Sequence, residues 1–355
     1  MSVYAYVSII DVFAKLGVAY LIYSSVTDRL VQYATLLLLI QLFNRIFYGF
    51  YCKRNFPECS YKFRFDKNLF KEMFSFAGWS VLGNLGFSLR HQGNNIVINI
   101  FYGTVVNAAR GIAAQISGAV NMFARNFTVA IHPQITKYYA AGDFNKCQQL
   151  LFVGAKFSFF LMVIIGIPII TNIQPILELW LKEVPQYTSF FAVAIIIGAS
   201  FQSMSSCSTI ALQATGNIKL FQNCICVLMF SEIPIAYLML KYGMEVKYAI
   251  IPTVISNFLS IIIKGVILKK NMPEFELKKY LANIVFKSIL VAILSLICCL
   301  YIDQLFTDIL SSTFLSIAIS FLITIGVISL LGLNKREKEF AIAQAKRVVN
   351  KIVQK

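Results

Sequence analysis

Residues 72–132 read EMFSFAGWSVLGNLGFSLRHQGNNIVINIFYGTVVNAARGIAAQISGAVNMFARNFTVAIH. The stretch predicts two long, mostly apolar helices joined at Tyr102-Gly103-Thr104. In the first, Ser80, Asn84, Ser88, His91, Asn95 and Asn99 recur every three or four residues. They therefore share one helical face, with Arg90 and Asn94 at its edge. In the second, Asn107, Gly111, Ala114, Gly118, Asn121, Arg125 and Thr128 make a small and polar face, with Arg110 beside it. Hydrocarbon does not tolerate such stripes. Polar and charged groups there turn towards a partner helix or a wet cavity. The two helices are expected to line a water-filled path whose cations face an anionic cargo.

Working outward, the whole chain is too apolar for a soluble domain. Its 355 residues are 58% hydrophobic with mean hydropathy +0.72, where soluble domains hold about 45–50% apolar residues. Stretches near the length of one bilayer crossing, about 20 residues, recur at 2–24, 31–51, 74–102, 105–131, 148–171, 188–213, 219–240, 248–268, 281–301 and 312–333. The predicted fold class is an all-α polytopic membrane protein of about ten transmembrane helices. Residues 2–24 lack the uninterrupted core and small-residue cleavage site of a signal peptide.

The formal charge of +16 is placed for a membrane surface, not for nucleic acid. Twenty Lys and Arg fall in alternate connections, at 52–71, 132–147, 214–219 and 269–280, and in the tail. Only Arg29, Lys182, Lys241 and Lys247 fall on the other side. The bias makes the long loop, the tail and both termini cytoplasmic. The tail, 334–355, reads as a basic amphipathic helix against anionic lipid. Pro133 is expected to end the fourth helix. Pro168 and Pro175 bracket the outer end of the fifth.

No enzyme is indicated. The longest connection is 52–71, and no phosphate-binding glycine loop, nucleophile elbow or zinc-protease motif is present. Eight cysteines and two histidines follow no metal or disulfide spacing, so no metal and no cofactor are expected. The serines within residues 202–209 are expected to satisfy one another and let helices pack closely.

Charges inside the spans carry the functional expectation. Asp11 and Lys15, four apart, are expected to neutralise each other. Arg45, Lys264 and Lys287 can snorkel to the headgroups. Glu232, beside Pro234, either couples a cation or proton or pairs an arginine. Arg90, Arg110 and Arg125 lie on or near the polar faces with few acids available. They are expected to face water or an anion, and a guanidinium suits forked contact with phosphate.

Several motifs together carry a resemblance. They are Phe76-Ala77-Gly78-Trp79, Gln92-Gly93-Asn94-Asn95-Ile96, Phe101-Tyr102-Gly103, Val106 to Ala113 (VNAARGIA) and Pro133-Gln134-Ile135. The chain resembles the Wzx-type polysaccharide and O-antigen flippases of the multidrug/oligosaccharidyl-lipid/polysaccharide, or MATE-like, exporter superfamily. The resemblance implies two six-helix lobes around a central cavity, followed by two extra helices. Residues 1–51 would be the last two helices of an N-lobe lacking its first four. Residues 52–71 would be a basic interlobe loop, 72–270 a six-helix C-lobe, 271–333 the extra pair and 334–355 the cytoplasmic tail.

The implied cargo is an undecaprenyl-diphosphate-linked oligosaccharide, moved from the inner to the outer leaflet of a bacterial inner membrane. Membrane lipids would be its other partner. Arg90, His91, Asn94, Asn95, Arg110, Asn121 and Arg125 would bind the cargo, with Glu232 the ion-coupling candidate. One alternative is a cation-coupled multidrug exporter of the same fold, which would favour acids in the cavity. Another is an inactive transporter fragment that scaffolds glycan polymerase machinery.

Overall fold

The computed structural model describes residues 2–23, 28–56, 66–305, 313–334 and 337–339. Among these residues every regular element is a helix, and eight helices are long and apolar enough to cross a membrane. The protein is an all-α polytopic membrane protein. Residues 57–65 of the basic loop and most of the amphipathic tail expected from the sequence lie outside the described residues.

Two compact units divide the chain, Met1–Phe70 and Lys71–Lys355. The first holds α1 (Ser2–Tyr23) and α2 (Arg29–Asn55), which pack on each other. Here Asp11 meets Lys15 at 2.6 Å and accepts a hydrogen bond from Asn44 Nδ2 at 2.8 Å. The expected neutralisation is in place, and α2 contributes to it.

The dominant element of the second unit is α3 (Lys67–Ala140), whose first four residues fall in the first unit; its 74 residues bend at Gly103. Its backbone there has φ 75° and ψ −172°, a region essentially reserved for glycine that costs any other residue about 1–3 kcal/mol. A side chain at Gly103 would meet nothing within 4 Å, so the demand is conformational and not steric. Gly103→Ala should lower the thermal midpoint of the purified protein, whereas Gly111→Ala, equally uncrowded, should not. Equal midpoints for the two variants would refute this account of the bend.

The remaining elements are α4 (Phe144–Thr171), α5 (Ile173–Trp180), α6 (Thr188–Met204), α7 (Ser206–Ala214), α8 (Lys219–Lys241), α9 (Ile251–Asn271), α10 (Leu277–Lys279), α11 (Lys287–Leu305) and α12 (Thr313–Val327). A 3-10 turn (Val246–Ile250) leads into α9, and π-helical turns occupy Tyr280–Phe286 and Ile328–Gly332. Helix α4 is the hub, packing against α6, α7, α11 and α12. Around it Phe152, Phe275 and Tyr280 form an aromatic cluster with ring centroids 5.6–5.7 Å apart. A second core joins Val97 and Ile98 of α3 to Phe191, Ala236 and Ile250.

One boundary differs from the sequence expectation. Helix α3 runs through Pro133 to Ala140. Proline removes one backbone bond, but Ile135 just beyond it is fully buried in the core, which holds the last turns in place. The span expected at 188–213 is present as one membrane-length run, Thr188–Ala214, with an interruption at Ser205 between α6 and α7. The hydroxyls of Ser203, Ser205 and Ser206 donate to the carbonyls of Ser200, Gln202 and Ser203, and such local bonds compete with the helical ladder.

The order of contacts gives each helix its direction. Gly83, Gly86 and Gly93 of α3 face Gln222, Cys226 and Ile233 of α8 in ascending order, so these helices run parallel. Phe127 and Thr128 in the second arm of α3 meet Phe157 and Ser158, while Ile131 meets Gly154; these run antiparallel. Gly154, Ser158 and Gly166 meet Cys207, Ser203 and Ile196 in descending order. All three relations are what alternating crossings require.

Candidate functional site

The parallel packing of α3 on α8 explains the first polar cluster. Gly83, Gly86, Arg90 and Gly93 follow spacings of three, four and three, one helical face. The glycines bring the backbones close: a Cβ on Gly83 would lie 2.2 Å from Gln222 Oε1, and one on Gly93 2.5 Å from Ile233 Cδ1. Arg90 stands in this stripe and so points at α8. Its Nη1 lies 3.3 Å from Glu232 Oε1 and 3.2 Å from Asn257 Oδ1. Thr253 Oγ1 donates to Glu232 Oε2 at 2.7 Å, and Asn94 Nδ2 reaches Thr253 at 3.5 Å. All five side chains come from α3, α8 and α9. Arg90 is 7% exposed and Glu232 1%.

The sequence expectation has Arg90 facing water or an anion, and it meets Glu232 instead; of the two readings left open for Glu232, pairing with an arginine is the one observed. Its charge is met by Glu232, the one mid-span acid that the sequence singled out. Asn257 and Thr253 complete the cluster and escaped the sequence reading. The signal that could have picked Arg90 as the arginine was the glycine stripe containing residue 90, which marks a face for helix packing.

Beyond the pair, a cavity of about 340 Å³ opens between α3, α6 and α9. Arg90, His91, Asn94, Asn95, Arg110 and Asn121 all line it. Arg110 is 7% exposed. It donates to Asn95 Oδ1 and, at 3.5 Å, to the His91 carbonyl. Its Nε is buried with no hydrogen-bond partner, and no carboxylate lies within 4.0 Å of it among the described residues. Its Nη1 is satisfied by the chain, and its Nε is left on the cavity side of that arrangement without a protein acceptor among the described residues.

A second cavity, of about 510 Å³, shares Asn121 and Gln202 with the first. Arg125 lines it, exposed, together with Lys264. The snorkelling expected for Lys264 is not observed. The residue is 8% exposed, and its ammonium donates to Ser205 Oγ at 2.8 Å, at the break between α6 and α7. The serine run thus satisfies itself, as expected, and also holds a cation. Among the described residues Lys264 has no carboxylate partner. The two cavities adjoin at Asn121 and Gln202, with Arg110, Arg125 and Lys264 in their walls and Glu232 already engaged.

Residues 80–238 match the MatE family model. The matched segment contains most of the first arm of α3, all of its second arm and the helices from α4 to most of α8, and therefore most of both cavity walls. No curated protein and no solved structure matches the chain.

Proposed function

We propose that this protein is a flippase that carries a polyprenyl-diphosphate-linked oligosaccharide from the inner to the outer leaflet of a bacterial cytoplasmic membrane, supplying surface polysaccharide such as O-antigen or capsule. The observation that supports this reading is the charge balance of the path. Three cations line it without a carboxylate partner among the described residues, and the nearby acid is held by Arg90. A diphosphate loses its hydration in the bilayer, and fixed cations and polar groups must replace it. Asn84, Asn95, Asn107, Asn121 and Gln202 offer hydrogen bonds to a hydrated sugar. Residues 72–270 act on this reading as one six-helix lobe.

Export of cationic drugs would need an acid free to meet the drug, and Glu232 is not free. The test is a vesicle assay with the full chain. A lipid-linked oligosaccharide bearing a fluorophore on its sugar should become accessible to an impermeant quencher from both sides. A permanently cationic dye should not be transported. Dye transport without movement of the glycolipid would reject the proposal.

A further inference from the structure

A third cavity lies apart from this path, against α4, α11 and the chain that follows α12, and has a volume of about 910 Å³. Its depth can be read from helix lengths. One crossing takes about 20 residues, at 1.5 Å each. With Thr171 and Gln304, the ends of the candidate spans Phe144–Thr171 and Leu277–Gln304, taken as the far edges, about 20 residues back puts the near edge at Phe152 in α4 and at Val285 in the π-helical turn that leads into α11. The span Thr313–Gly332 is 20 residues long and ends just before Asn334. Phe152, Ile284 and Asn334 all line this cavity. Three helices counted independently therefore place it at one boundary between hydrocarbon and headgroups.

Among the described residues its lining charge is positive: Lys156, Lys279 and Lys287 stand against one acid, Glu337. Lys156 is 5% exposed and meets Glu337 at 2.6 Å. Lys279 lies 3.4 Å from Glu276, which is outside the lining. Lys287 is exposed and has no ion pair among the described residues. Asn283 adds an amide. On the hydrocarbon side, Phe286, Leu290 and Ile293 of the same helical run are exposed. Basic pockets between transmembrane helices at headgroup depth take up anionic lipid.

We propose that this cavity binds the phosphate of an anionic membrane phospholipid, with Lys287 and Lys279 as its principal cations and Lys156 shared with Glu337. The acyl chains run along the exposed apolar face of α11. The site does not depend on the transport reading, because none of its residues lines the transport path.

Native mass spectrometry of the full chain in detergent tests the site, with phosphatidylglycerol titrated against phosphatidylcholine. Phosphatidylglycerol should be retained preferentially. A Lys279→Gln/Lys287→Gln double variant should weaken its retention by about tenfold or more. Glu337→Gln, which releases Lys156, should strengthen it. Equal retention of phosphatidylcholine, unchanged retention in the double variant, or no gain with Glu337→Gln would overturn the proposal. So would displacement of the lipid by inorganic phosphate at an equal concentration, which would mark a site for free phosphate.

Discussion

Replacing Arg110 with alanine should, on the proposed function, reduce glycolipid flipping by about tenfold to a hundredfold, the range set by losing one charged hydrogen bond of about 1.5–3 kcal/mol. The amount of folded protein should stay close to that of the parent. Arg110 is nearly buried, carries an unpartnered Nε and faces the first cavity without a carboxylate. Such a cation is costly to the fold, so its removal costs little stability. On the proposed function, what is lost is the interaction with a phosphate in a low-dielectric cavity. Arg110→Lys keeps the charge but not the fork and should retain part of the activity. Initial flipping rates in vesicles at matched protein amounts measure this. A full rate with Arg110→Ala would take the residue out of the mechanism.

Arg90→Ala should behave differently and lose folded protein. The substitution strands Glu232, which is 1% exposed, and breaking a buried ion pair from one side costs about 3–5 kcal/mol. Replacing both partners with apolar residues, as in Arg90→Met/Glu232→Leu, should restore much of the stability, because such swaps are often neutral or better. Thermal midpoints in detergent for the single and double variants check this. Comparable midpoints for Arg90→Ala and the parent would show that the pair does not hold α3 to α8. If the double variant is stable but inactive, Glu232 has a role in transport beyond packing.

These two arginines show how far the sequence could be read. Helical periodicity located the polar faces and the bend at Gly103, because periodicity is a property of a single helix. It also brought His91, Asn94, Asn95, Arg110 and Asn121 to one cavity wall. It could not say which helix stands opposite. Arg90 is one position from His91, yet the glycine stripe turns it to α8. Lys264 lies near enough to its helix end to snorkel, but the kink at Ser205 provides an inward partner. Thr253 and Asn257 look like ordinary polar residues of a membrane helix until α3 is laid beside them. Each of these depends on tertiary neighbours far apart in the chain, which no local pattern encodes.

The parallel pairing of α3 with α8 has a consequence for biogenesis. Arg90 and Glu232 are separated by 142 residues. At about 5–20 residues per second, the ribosome makes Arg90 roughly 7–28 seconds before its partner exists. Through that interval a membrane-embedded guanidinium must be held by the insertion machinery or by lipid phosphates at the interface. Nascent chains stalled short of residue 232 should therefore crosslink from position 90 to the insertase, and chains stalled well beyond it should crosslink to α8 instead.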